Sequence, residues 1–454
     1  MKNMALSAGF SRVNITPHNG VAIEGYFIPR RVDGVLDDLE INALALSDGD
    51  KTVLVMCSDI CLINQEYSDI FRGLIAAETN LPLDAIFMTV THTHTSPCVG
   101  KVYTGSIELN EDDDAYLAKF KVWVVEAAKA AIADLKPARK GWRVGNAPGI
   151  SFSRRYRMKD GSVRTNPGLG NPDVLEPIGE MDDRVSVLRF DQEDGNSIVL
   201  VNYANHPDSI GGCKASADWP GVVRRTVEAS IPGTKCIFLN GSEGDVGANN
   251  VFAKDGDLNG LTKDFDDVLR GIEHTKHMGR TIAGAVLQVY GKVNFTENNT
   301  INYKECVFEI PANVPDASEM ELAHKYNALH KEGKDCEIPY EGMMLTTVVA
   351  ESERMVKLEN GPESFPMKFI GLSIGDVALM GIPGEIFTKA GMDIKDTEGY
   401  KLVIPVSNVN GAEGYFPTMN AYEEGGYEAR SSYFKKGAAE YIVQKSKELL
   451  GELS

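Results

Sequence analysis

The chain has 454 residues, 43% of them hydrophobic and 24% charged, and a formal charge of −19. That length fits one large or two closely packed domains, and the composition is that of an ordinary globular protein without low-complexity tracts. The acidic balance, with no Lys/Arg cluster to meet a phosphate backbone, argues against nucleic acid as a partner.

Seven cysteines stand singly, with no Cys-x-x-Cys pair, which fits reduced thiols better than a disulfide framework. The opening stretch from Met1 to Ser7 lacks the apolar core of a signal peptide, and no run approaches the roughly 18 apolar residues of a membrane span. The expectation is a cytoplasmic protein with no stable membrane anchor, or a secreted one if a leader has been removed. Nothing in the sequence speaks to oligomeric state.

In chain order, residues 52–58 read as a strand that delivers Asp59 at its end. A helix follows, with Tyr67, Ile70, Phe71 and Leu74 at helical spacing and a stop near Asn80 and Pro82. Residues 86–90 are β-branched, aromatic or apolar and form a buried strand, which runs into Thr91-His92-Thr93-His94. Alternate side chains of an extended segment share a face, so both histidines can reach one site, as two ligands or in different roles. Leu117, Phe120, Val124, Ala128, Ala131 and Leu135 mark a long amphipathic helix ending at Pro137. This strand–helix alternation predicts an α/β fold of mixed sheets flanked by helices, one catalytic domain over 1–454 with a subdivision allowed near 295.

From Gly149 to Pro177 the pattern dissolves into an expected long loop carrying Ser153-Arg154-Arg155-Tyr156-Arg157. Strands resume at 185–190 and at 198–204, and the second delivers Asn205-His206-Pro207. Asp218 is expected to cap a helix with Pro220 in its first turn. A short strand at 236–239 opens into a glycine-rich loop from Asn240 to Gly247 that is no Walker motif, since no Gly-Lys-Ser/Thr follows. His274 and His277 read as exposed residues at a helix start, and His324 and His330 as surface residues of a helix opened by a Ser318–Glu321 capping box. A hairpin with Gly375-Asp376 as its two-residue turn delivers Pro383-Gly384-Glu385, and the run 402–406 delivers Asn408, Tyr415 and Tyr427. A C-terminal helix marked by Ala438, Ile442 and Leu449 closes the chain.

His92, His206, Glu385 and Tyr415 thus each follow an apolar strand-like run. In open α/β sheets ligands gather outside the carboxyl ends of strands, so four such donors are positioned to converge on one metal.

At these residues the chain resembles the neutral/alkaline (non-lysosomal) ceramidases, zinc amidases that hydrolyse the N-acyl bond of ceramide, in a compact bacterial form. The likeness runs in order through Thr91-His92-Thr93-His94, His206-Pro207, Asp218-Trp219-Pro220-Gly221, Gly244-Asp245-Val246, Pro383-Gly384-Glu385 and Asn408. It ends on Gly414-Tyr415, Glu423-Glu424 and Tyr427-Glu428, with the two tyrosines twelve residues apart. The resemblance implies a Zn2+ site from His92, His206, Glu385 and Tyr415, with His94, Tyr427 and Arg154 as catalytic residues; Arg155 is the alternative arginine. The sequence departs from the family in two places. Gly247-Ala248 stands where Ser-Pro is usual, and Ala429-Arg430 where small residues are. Neither a secretion signal nor a C-terminal β-sandwich domain is visible.

The expected chemistry is attack on an amide carbonyl by zinc-bound hydroxide, zinc lowering the pKa of water from about 15.7 to about 7. His94 would carry the proton, and each tyrosine or arginine donor would stabilise the oxyanion by roughly 3–4 kcal/mol. With glycine at 247, no acyl-enzyme is expected, although Ser242 lies five residues earlier. The alternatives are a zinc esterase, lactonase or deacylase for a small polar substrate, and a binding protein with no activity. Arg430 leans the substrate toward a soluble, anionic N-acyl compound, unless it turns outward to pair with Glu428 or the acidic surface.

Overall fold

Two sheets that face each other across one hydrophobic core bring the candidate residues together. The structure is a computed structural model that describes residues 6–100, 107–252 and 268–454, with side chains left out at 268–270. Ser7–Asn14 (β1), Glu40–Ser47 (β2) and Thr52–Ser58 (β3) form an antiparallel meander. Helix α1 (Gln65–Thr79) returns the chain to Ile86–Val90 (β4), which pairs parallel to β3 as a strand–helix–strand crossover requires. Asn80 ends α1 in the left-handed conformation, at φ +61°. The buried face of α1 is Phe71, Arg72 and Ile75, whereas Ile70 and Leu74 lie at the surface. The expected apolar stripe is therefore rotated toward the Arg72 side, where that guanidinium donates to the Leu83 carbonyl and pairs with Glu305.

Helix α2 (Glu111–Ala133) opens with a capping box between Asn110 and Asp113 and four acidic residues in its first turn, which suit the positive end of the helix dipole. It stops before Pro137, because Pro137 already belongs to the next strand, Lys136–Asn146 (β5). The stretch expected as a loop is instead a small sheet of Arg155–Met158 (β6), Val163–Thr165 (β7) and Val174–Pro177 (β8). Its strands are too short and too polar to show a period of two, and they are held by pairing on both sides of β6.

Arg184–Gln192 (β9) and Ser197–Tyr203 (β10) form a hairpin, and helix α3 (Asp218–Ser230) carries the chain to Thr234–Asn240 (β11), parallel to β10. Asp218 is the first residue of α3 at φ +49°, and its carboxylate accepts from the amides of Ser209, Ile210 and Trp219. Helix α4 (Val268–Tyr290) precedes Asn294–Thr296 (β12), which pairs with β5. His274 lies inside α4, buried, with Nε2 on the Ala248 carbonyl at 2.9 Å, so the reading of it as an exposed residue at a helix start is corrected. His277 is exposed, as expected.

The strand order is β11-β10-β9-β5-β1-β2-β3-β4. Its two ends approach each other: Asn240, the last residue of β11, donates from its amide to the Thr91 carbonyl beyond β4 at 3.3 Å. Buried Arg224 of α3 meets Asp59 at the end of β3, Nη1 to Oδ1 at 2.9 Å, and pins the same two regions. This curvature brings the segments after β4 and β10 together.

The second sheet is Ile301–Pro311 (β13), Ser364–Ile374 (β14), Val377–Gly381 (β15) and Leu402–Val406 (β17), in that order. Ile374 pairs with Val377 across Gly375-Asp376, the expected two-residue hairpin. Leu44, Val55 and Phe87 of the first sheet pack with Ile370, Leu372, Leu379 and Ile404 of the second in one core. Between β15 and β17 run Glu385–Ile386 (β16) and helix α7 (Thr388–Lys395), and β16 pairs parallel with Tyr415–Phe416 (β18). Helices α5 (Met320–Lys331) and α6 (Gly342–Leu358) form a hairpin between β13 and β14. No Ser318 capping box forms on α5: the cap residue is Glu319, and Ser318 bonds Asp316 instead. Helix α8 (Tyr427–Ser431) and helix α9 (Ala438–Gly451) complete the chain. Among the described residues no helix is long and apolar enough to cross a membrane.

Candidate metal centre

His92 is the second residue past β4 and holds φ +69°, a left-handed conformation that a non-glycine residue adopts at some strain. The sharp turn aims its ring inward. Its Nδ1 donates to the Cys61 carbonyl at 2.8 Å, and the Nδ1 of His206 donates to the Glu243 carbonyl at 2.8 Å. A carbonyl only accepts, so each neutral ring carries its proton on Nδ1 and presents a lone pair on Nε2. Glu385 Oε2 lies 3.2 Å from His206 Nε2 and 3.5 Å from His92 Nε2. Tyr415 faces Glu385 through the β16–β18 pairing, its ring stacked on that of His206 with centroids 6.4 Å apart.

Charge follows from these neighbours. Burial raises the pKa of Glu385, but His92, His206 and Arg154 outweigh it and bring the carboxyl down to about 2. Burial, helped by Arg154, lowers His206 to about 4. Near neutral pH His206 therefore offers a lone-pair nitrogen beside the carboxylate oxygen of Glu385. Burial and the adjacent Glu385 push the Tyr415 phenol well above its ordinary value, and Arg154 pulls the other way.

These residues fit a zinc ion. His206 Nε2 and Glu385 Oε2 are buried with no hydrogen-bond partner, which is costly unless something binds them. Donors about 2.0–2.1 Å from a tetrahedral zinc are roughly 3.3 Å apart, close to the separations seen here. Two imidazoles with a carboxylate are also a usual zinc donor set. A second cluster joins Cys61, His92 and His94. It suits a cation less well, because burial first, then Glu24 and Glu385, hold the Cys61 thiol protonated.

His94 stands beside the ligands, its Nε2 3.3 Å from His92 Nε2, and burial with the two neighbouring histidines depresses its pKa. Tyr427 meets the Tyr415 ring edge-on at 5.7 Å. Arg154 lies over the Tyr415 ring at 5.5 Å, donating to Glu428 Oε1 at 2.8 Å and the Gly244 carbonyl at 3.0 Å. Arg155 points elsewhere, to Glu424 and over Phe387. Of the two arginines, Arg154 is the one at the centre, behind Tyr415. Arg430 pairs with Glu351 of α6 at 3.0 Å through Nε, and neither it nor Glu428 offers the other a partner. The lean toward an anionic substrate loses its basis, since the guanidinium is engaged by a carboxylate outside the cavity lining.

The cavity holds about 120 Å3 and is lined by His92, His94, Glu385, Tyr415 and Tyr427, with Phe27, Leu62, Ala350, Glu353, Ser431 and Tyr433 among its other walls. The sequence did not single out Ser431 or the α6 residues. Ser431 had a signal, standing four residues after Tyr427 on one helical face; Ala350 and Glu353 had none.

The glycine-rich loop is explained by close backbone approach. A Cβ on Gly244 would lie 2.8 Å from the Glu385 carbonyl oxygen, and one on Gly384 would lie 2.5 Å from that of Gly414. Gly244→Ala is expected to displace Glu385 and weaken zinc binding about 10- to 100-fold. Competition with a chromogenic chelator measures this, and an unchanged affinity would remove the loop from the site.

No family model and no curated protein matches the chain. Solved structures do. Neutral ceramidase from Pseudomonas aeruginosa superposes with a TM-score of 0.73 at 16% identity, over 99% of this chain and 74% of that one. A ceramidase complexed with C2 superposes with a TM-score of 0.71 at 15% identity, over 99% and 75%. The chain thus has the neutral ceramidase fold, a mixed α/β architecture.

Proposed function

We propose that the chain is a zinc-dependent hydrolase of ceramidase type that cleaves an N-acyl (amide) bond. One observation carries this reading: His92, His206 and Glu385 meet with donor separations of 3.2 and 3.5 Å to the carboxylate oxygen, at a cavity in a ceramidase fold. His92, His206, Glu385 and Tyr415 would hold the metal, which when bound polarises the substrate carbonyl and lowers the pKa of water.

The protein's own groups supply the rest. His94, neutral because burial depresses its pKa, takes a proton on Nε2 from the attacking water as the C–O bond forms. It returns that proton to the amine nitrogen as the C–N bond breaks, so acid and amine leave. Tyr427, kept protonated by burial, donates to the developing oxyanion. Arg154 acts through Tyr415, fixing that ring and opposing the charge of Glu385.

Water attacks directly in this reading. Gly247 offers no nucleophile and packs on the Arg154 stem, where a Cβ would lie 3.1 Å from Cδ. Ser242 is outside the cavity lining, its hydroxyl packed against Gly391 of α7. Mass spectrometry of the protein during turnover is expected to find no acyl adduct; a trapped acyl-enzyme would refute direct attack.

The test of the function is a panel of N-acyl amides, esters and lactones given to zinc-loaded protein. Amide cleavage lost on chelation and restored by zinc is expected. Turnover of esters or lactones with none of amides would replace this reading with the esterase one.

A further inference from the structure

We infer that Ser431 is a specificity-determining residue that hydrogen-bonds a hydroxyl or amino group on the amine portion of the substrate; this rests on the amide-hydrolase reading of the same site. Ser431 lines the cavity, and its Oγ is buried with no hydrogen-bond partner. The polar side chains behind it are engaged with one another. Ser432 donates to the Tyr415 carbonyl at 2.9 Å, Arg430 is held by Glu351, and Arg354 donates to the Arg430 carbonyl at 2.9 Å. Arg154 and Thr165 share the two oxygens of Glu428. A buried hydroxyl left unpaired beside these bonded groups is an opening for a ligand atom.

Its position on the helix fixes what it reads. Ser431 follows Tyr427 by four residues in α8, so the two side chains share a face with their Cβ atoms about 5–6 Å apart. If Tyr427 meets the reacting carbonyl, Ser431 lies one helical turn away, a distance spanned by the two-carbon arm of a small amide. Glu353, which pairs with Lys357 through Oε1 at 2.7 Å, lines the same cavity and adds acceptor character. The matching substrate group is therefore a hydrogen-bond donor. A hydroxyl and an amine share that chemistry; a carboxylate does not.

The experiment compares N-acetylethanolamine, N-acetylethylenediamine and N-acetylpropylamine, which present a hydroxyl, an amino group and a methyl at the same reach. We expect kcat/KM for at least one polar compound to exceed that for the methyl compound about tenfold or more. In Ser431→Ala that ratio falls toward one, mainly through KM, and in Ser431→Thr, which keeps a hydroxyl, most of it returns. Because the Ser431 Oγ bonds nothing in the protein, its removal leaves the fold intact. The same ratios are read as Kd by ligand-observed NMR on the full chain prepared without metal. Were wild-type protein to cleave none of the three, the amide-hydrolase reading would fall and the Kd ratios would still decide the role of Ser431. A ratio near one in the wild type, or one unchanged in Ser431→Ala, overturns the inference.

Discussion

His206→Ala protein is expected to purify with little zinc and to lose at least about 10³ in kcat/KM, because the metal supplies several kcal/mol of transition-state stabilisation. The same holds for His92→Ala and Glu385→Ala. Wild type should carry about one zinc per chain. The argument is geometric: two Nε2 lone pairs are fixed by Nδ1 hydrogen bonds of 2.8 Å to backbone carbonyls, and the carboxylate oxygen between them has no other partner. Removing one donor leaves too few to outcompete a chelator. Elemental analysis checks this independently of turnover. Full zinc occupancy in both His92→Ala and His206→Ala proteins would remove these residues from the metal centre.

A loss of stability of about 3–5 kcal/mol is expected for Glu428→Ala, the range found when one partner of a buried ion pair is deleted. Glu428 is fully buried and accepts from Arg154 at 2.8 Å and Thr165 at 2.7 Å. Without it the Arg154 guanidinium keeps its charge in a buried site, with the carboxylate gone and the Gly244 carbonyl still accepting from Nη2. Urea unfolding should show a lower midpoint with the slope unchanged. The double variant Arg154→Met, Glu428→Leu is expected to recover most of the stability, since an apolar pair of similar volume needs no desolvation. It should not recover turnover, because Tyr415 loses the cation beside it. A Glu428→Ala protein as stable as wild type would mean that Arg154 finds another acceptor.

The candidate metal ligands, the Arg154–Glu428 pair and Ser431 are grouped around one cavity. The candidate ligands come from segments following β4, β10 and β15 and from β18, so they meet only when both sheets are docked. Helix α8 and the α5–α6 hairpin cover it, joined by Arg430–Glu351 and by Arg354 on the Arg430 carbonyl.

What the sequence determined by itself was a set of buried strands and the residues at their ends. Runs such as 86–90 and 402–406 are apolar but for Thr89 because both faces of their strands are buried, and such runs are legible without a partner. His92, His206, Glu385 and Tyr415 stood out for the same reason: each follows a run that could be read locally. The tertiary structure decided everything that depends on contact between distant segments. The Cys61 and Glu243 carbonyls orient the two histidines, yet a backbone carbonyl carries no residue signature. Arg154 and Arg155 were indistinguishable as neighbours in a polar stretch, and only the pairing of β6 with β7 and β8 turns one toward Tyr415 and the other toward Glu424. Arg430 and Ser431 are adjacent on one short helix, where about 100° of rotation per residue sends one to Glu351 and sets the other in the cavity wall.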